Sequence, residues 1–126
     1  RGVDIKIVTP GIPDKKLVFL LTQSYYKQLV EAGIHIYEYT PGFIHAKCFA
    51  SDDKVATVGT INMDYRSLYL HFENGVFMYK NDAVMQLKHD MEKTFEISQR
   101  ITKEMCQGSL KKTLAQSVLR LLAPLL

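Results

Sequence analysis

The sequence predicts a mixed α/β fold in which a largely parallel sheet is sandwiched by helices. Two period-two stretches, "VDIKIV" and "IHIYEY", flank a segment with helical periodicity, and that order at that spacing implies a parallel pair with a right-handed crossover. More period-two stretches follow, and then the period changes back to helical. At 126 residues, with 47% hydrophobic and 23% charged, the chain can bury a single core and is too short for two ordinary domains.

Each element has its own signal. "VDIKIV" alternates polar and β-branched residues and stops at Pro10, Gly11 and Pro13, a strand running into a loop that cannot continue it. From Asp14 to Ala32, Leu17, Leu20, Leu21, Tyr25, Leu29 and Val30 recur at three and four, with Asp14 as the expected cap and Gly33 as the stop. "IHIYEY" then resumes period two. Residues 43–50 and 54–60 read as two short strands joined by Ser51, Asp52 and Asp53, and "FENGVFMYK", 72–80, as one more. Val84, Leu87, Met91 and Phe95 place a helix from near Asn81 or Asp82 to about Met105, before Gly108.

The final segment, 109–126, is amphipathic and basic. Leu110, Leu114, Val118, Leu121 and Leu122 share one side, with Lys111, Lys112, Gln116 and Arg120 elsewhere. Most apolar stripes are core, so the first expectation is a helix packed on its own domain; the alternative is a foot on an anionic membrane surface.

Composition narrows the chemistry. A net charge of +3 permits a densely anionic partner without requiring one, and there is no basic run near the polar cluster described below, so nucleic acid is not expected. Cys48 and Cys106 lack CxxC spacing and are expected to be free thiols in a reducing, cytoplasm-facing environment, with neither a zinc site nor a cofactor. No run of eighteen apolar residues exists. The chain begins at Arg1 and moves straight into a strand, which reads as a piece cut from a longer protein.

The chemistry concentrates in "FIHAKCFASDDKVATVGTINMDYRS", residues 43–67. In an extended strand His45 and Lys47 point the same way, and Thr60 and Asn62 repeat that arrangement after Gly59, where the backbone has room to approach a neighbour. Two such pairs side by side would frame one small site. Transfer at a phosphodiester needs a nucleophile, donors around the phosphoryl oxygens, and an acid for the leaving oxygen. A neutral imidazole can attack phosphorus and leave again, which splits one displacement into two. Lys47 brings a point charge, and Asn62 and Thr60 can complete a fork of donors. His45 would be held in one tautomer by a carboxylate. The candidates are Asp52, which a turn explains by itself, and Glu73, at the start of the following strand.

Each of these features alone is commonplace. Together, five fixed identities at fixed spacing arise by chance about once in a million windows, at background usages of roughly 5% per residue type.

"HAKCFASD" followed by "GTINMD" resembles the HxKxxxxD and GTxN motifs of the phospholipase D superfamily, with no position departing from the pattern. "YEYTPGFIHAK", "FENGVFMY" and the terminal "LAPLL" extend the likeness over nearly the whole chain, to the second, C-terminal half of a bacterial cardiolipin synthase. The resemblance implies a phospholipase D half-domain over 1–126, truncated from a two-motif protein. It implies catalytic residues His45, Lys47, Asp52 and Glu73, with Lys47, Thr60 and Asn62 binding phosphate, and no metal. His45 is then the phosphohistidine nucleophile or its acid counterpart.

The implied reaction joins two phosphatidylglycerol molecules into cardiolipin and glycerol, at a bacterial cytoplasmic membrane for the parent, the fragment being soluble or peripheral. That family uses two such motifs, and only one is present: His35 is followed by "IY", His71 by "FE" and His89 by "DM". The second must come from a first HxK half or from a symmetry-related copy, so the fragment alone is expected to be inactive. His35 and His89 are expected to be solvated or locally bonded. The alternative function is a single-motif phosphodiesterase or nuclease completed by homodimerisation.

Overall fold

A computed structural model describes residues 2–107 and 110–123. The elements are β1 (Lys6–Pro10), α1 (Lys16–Glu31), β2 (His35–Tyr39), β3 (Cys48–Ser51), β4 (Val55–Gly59), a π-helical turn (Arg66–Leu70), β5 (Gly75–Tyr79), α2 (Asp82–Glu96), β6 (Gln99–Arg100) and α3 (Leu110–Leu121). They group into two compact units, 1–44 with 97–126, and 45–96.

In the first unit, β1 and β2 pair in parallel with Lys6 opposite His35 and Pro10 opposite Tyr39, the pairing that the strand, helix, strand order predicts. Pro10 is tolerated as the last residue of an edge strand. Helix α1 starts later than expected. Its N-cap is Lys15, not Asp14, and lysine has no acceptor to offer the first N–H groups. Its end is the predicted one: Gly33 adopts φ 89°, a left-handed conformation that favours glycine, and donates its N–H to the Val30 carbonyl at 3.1 Å.

Ile36, 1% exposed, packs with Tyr26 and Ile101 as the core of this unit, flanked by Leu29, Val30 and Ile34. The Tyr26 hydroxyl is 2.6 Å from Thr9 Oγ1, and burial raises its pKa. His35 is locally bonded as expected, with Nδ1 2.7 Å from Arg100 Nη2.

The second unit is a sheet of order β3-β4-β5, with α2 packed across it. Pairing is antiparallel throughout, Cys48 opposite Val58 and Gly59 opposite Gly75. The expected largely parallel sheet is therefore corrected, among the described residues, to two small sheets with a single parallel pair, β1 with β2. For β3 and β4 the reason is loop length: residues 52–54 are too few for anything but a hairpin. Ala56 on the helix side of β4 and Val84 of α2 are fully buried, while Phe49, Phe77 and Tyr79, which alternate onto the other side, are exposed.

Helix α2 also differs from its expectation. Asn81 caps it, its Oδ1 accepting the Val84 N–H at 3.1 Å, but it stops at Glu96 rather than near Met105. Gln99 and Arg100 instead pair antiparallel with β2, and Ile101 donates its N–H to the Ile36 carbonyl at 2.9 Å and buries its side chain. Completing a sheet edge and a core outweighs continuing the helix here.

Helix α3 packs on α1, though not by its apolar stripe. Gln116 Nε2 donates to the Leu20 carbonyl at 3.4 Å and Arg120 Nε to Ser24 Oγ at 3.0 Å, with the guanidinium 4.5 Å over the Tyr25 ring.

Candidate active site

The antiparallel order of the second unit decides which residues can meet. The start of β3, the end of β4 and the start of β5 lie at one end of the sheet. Lys47, Thr60 and Glu73 flank those three strand ends. The ladder extends past the strands, with Gly59 donating its N–H to the Lys47 carbonyl at 3.1 Å and Thr60 its N–H to the Asn74 carbonyl at 2.9 Å. His45 and Lys47 precede β3 rather than lying within it, which corrects the expected strand over 43–50. His45 is exposed, and Lys47 folds back so that Nζ donates to the His45 carbonyl at 3.0 Å.

Thr60 and Glu73 form the best-defined polar contact at this end. The Thr60 hydroxyl donates to Glu73 Oε2 and accepts the Asn74 N–H at 3.0 Å. The Thr60 hydrogen bond, then that from Ser67, with the Lys47 charge nearby, hold the Glu73 carboxyl below the ordinary carboxylate range. Glu73 is thus an ionised acceptor at neutral pH within electrostatic reach of Lys47. Asn62 is exposed in the loop that follows Thr60. Burial raises the pKa of Cys48, next to Lys47, so it is not an activated nucleophile.

Asp52 does not join this group. It sits at the opposite end of β3, roughly 16 Å from Lys47 at strand rise. There it adopts φ 52° and accepts a hydrogen bond from Ser51 Oγ at 3.2 Å. Asp53 follows at φ 56° and pairs with Lys88. Left-handed backbone and a local bond are what an Asp in a turn supplies.

Three contributors were not read from the sequence. Asp64, just ahead of the π-helical turn, accepts the Ser67 N–H through Oδ1 at 2.7 Å. Ser67, buried by that turn, reaches Glu73. Arg66 Nε donates to His71 Nε2 at 2.9 Å, which places a guanidinium beside the imidazole that ends the turn, two residues before Glu73. An Asp three residues ahead of Ser67, able to bond the backbone N–H there, was the available signal.

With this arrangement defined, a phospholipase D-like unit is the class that the HxK and GTxN residues on one sheet end describe. The family model "Cardiolipin synthase, PLD-like domain" matches residues 1–96. A cardiolipin synthase of Geobacillus kaustophilus is 42% identical over 99% of the chain and 25% of its own length, and cardiolipin synthase 2 of Bacillus anthracis is 39% identical over 99% and 24%. An uncharacterized protein of Streptococcus mutans serotype c is 51% identical over the whole chain and 28% of its own length. The chain belongs to the phospholipase D-like family of the cardiolipin synthases. It spans about a quarter of the length of these relatives.

Proposed function

We propose that this chain supplies one of the two catalytic motifs of a phosphatidyltransferase that joins two phosphatidylglycerol molecules into cardiolipin and glycerol. The observation that carries the reading is the convergence of Lys47, Thr60 and Glu73 at the sheet end that His45 and Asn62 adjoin. In the first step an imidazole nitrogen, from His45 or its counterpart, forms a bond to phosphorus. The bond from phosphorus to the glycerol oxygen breaks, and the other histidine protonates that oxygen. In the second step a glycerol hydroxyl of another phosphatidylglycerol attacks phosphorus. The phosphorus–nitrogen bond breaks and the hydroxyl proton returns to the second histidine.

Lys47 and Asn62 would bind the non-bridging oxygens where charge develops, and Glu73 would act as a positioning residue through Thr60 and the local field. The second histidine would come from a first HxK half of a longer parent or from a second copy of this chain. Support for a covering partner comes from packing. In the second unit Ala56 and Val84 are the buried apolar side chains, and Phe77 and Tyr79 are left in solvent, a small core for a stable domain.

The test is phosphatidylglycerol turnover in mixed micelles by the chain and its His45→Ala variant, with solution mass measured in the same buffer. Turnover by a dimer that the substitution abolishes supports a site built from two copies. The same loss in a complex with a separate first half supports the two-motif parent. Turnover unaffected by His45→Ala overturns the proposal, and salt-sensitive DNA cleavage in its place would favour the nuclease reading.

A further inference from the structure

Helix α3 packs on α1 through one side, and described apolar residues on the opposite side are exposed. Gln116 and Arg120 face α1, and Leu119 and Ala123 on the same side are partly shielded. Leu114, Val118 and Leu121 follow one another at four and three, half a turn away around the helix, and are 69%, 53% and 80% exposed. An amphipathic helix normally buries its stripe against its own domain. Here the polar contacts with Ser24, Leu20 and Tyr25 fix the helix in the reverse orientation, and the stripe faces solvent.

The charge of the segment indicates what covers the stripe. Residues 109–126 contain Lys111, Lys112 and Arg120 and no Asp or Glu. A protein groove that accepts a helix could carry either charge, whereas an anionic bilayer surface matches an apolar stripe on an acid-free, basic helix. No described helix is long and apolar enough to cross a membrane, so the contact would lie in the interfacial plane. We propose that α3 is a foot that seats on an anionic phospholipid surface with Leu114, Val118 and Leu121 in the acyl boundary. The proposal stands on α3 and does not depend on the chemistry assigned to His45.

The test is co-sedimentation of the whole chain with vesicles of phosphatidylserine and phosphatidylcholine, and with phosphatidylcholine alone. Phosphatidylserine keeps the outcome separate from phosphatidylglycerol turnover. The expected result is pelleting with the anionic vesicles that weakens in high salt. Leu114→Gln/Val118→Gln/Leu121→Gln should lower the partition coefficient about tenfold or more, and Lys111→Gln/Lys112→Gln about fivefold per charge. All three apolar positions are exposed, so the far-ultraviolet circular dichroism of that variant should match the parent. Absence of pelleting with anionic vesicles, or equal pelleting of the triple variant, would overturn the proposal. So would a stripe-dependent rise in solution mass without vesicle binding, which would make a second copy the occupant.

Discussion

Gly59 offers the sharpest test of the site's architecture. It sits at the end of β4 opposite Gly75, immediately before Thr60. A Cβ at Gly59 would overlap the Asn74 carbonyl oxygen and lie 2.6 Å from Gly75 Cα, both backbone atoms that cannot rotate away. A Cβ at Gly75 would meet its nearest neighbours at 3.5 and 3.9 Å, ordinary contact. Forcing atoms into a packed position costs about 1–3 kcal/mol, and replacing glycine by alanine returns about 0.4–1 kcal/mol by restricting the unfolded chain. Gly59→Ala should therefore be destabilised by about 1–2 kcal/mol net, while Gly75→Ala should be neutral or slightly stabilised.

With a urea dependence of about 1–2 kcal/mol per molar, the two variants should unfold about 1 M apart. Relief of the clash must move Asn74 away from Thr60, whose N–H and hydroxyl both bond Asn74 backbone atoms. Under the proposed function, turnover should then fall by about a hundredfold in Gly59→Ala and little in Gly75→Ala. If both variants unfold at the same urea concentration, the close approach of β4 to β5 at this end is refuted.

Glu73 contributes a pH signature. Its folded pKa is lowered, so its contribution to stability is present above the unfolded carboxylate value of about 4.3 and is lost as pH falls through the folded one. Glu73→Gln should be less stable than the parent at pH 7, and urea titrations should show the gap closing as pH drops below about 4. Asp52→Gly should keep stability and turnover, because relief of the left-handed backbone offsets the wider freedom of glycine in the unfolded chain; a loss of turnover matching that of His45→Ala would return Asp52 to the chemistry. Ile36→Ala removes a side chain buried against Tyr26 and Ile101 and should cost about 2–5 kcal/mol by chemical denaturation.

Much of the local fold was legible because short-range signals decided it. Gly33 ended α1, Asn81 opened α2, and the turn at Ser51, Asp52 and Asp53 separated β3 from β4 as their chemistry required. The misses share a physical cause. Gln99 and Arg100 carry a weak local pattern and become a short strand because β2 offers an open edge and the core a place for Ile101 next to them. The outward face of α3 was equally hidden: its stripe read as core, and the contacts of Gln116 with Leu20 and of Arg120 with Ser24 and Tyr25 show which side faces α1.

The candidate site shows the same division between identity and place. Spacing along the chain groups Asp52 with His45 and Lys47, because all three fall within eight positions. A strand lies between them, and an extended chain separates its ends at about 3.3 Å per residue. Glu73, much farther in sequence, returns to Lys47 because the hairpin at 52–54 sends β4 back to the same end, where the connection to β5 begins and finishes. The carboxylate available to this end of the sheet is therefore set by strand direction, which the hydrophobic pattern cannot encode. It becomes legible once residues 52–54 are read as a hairpin loop, since a loop that short leaves β4 only one direction in which to run.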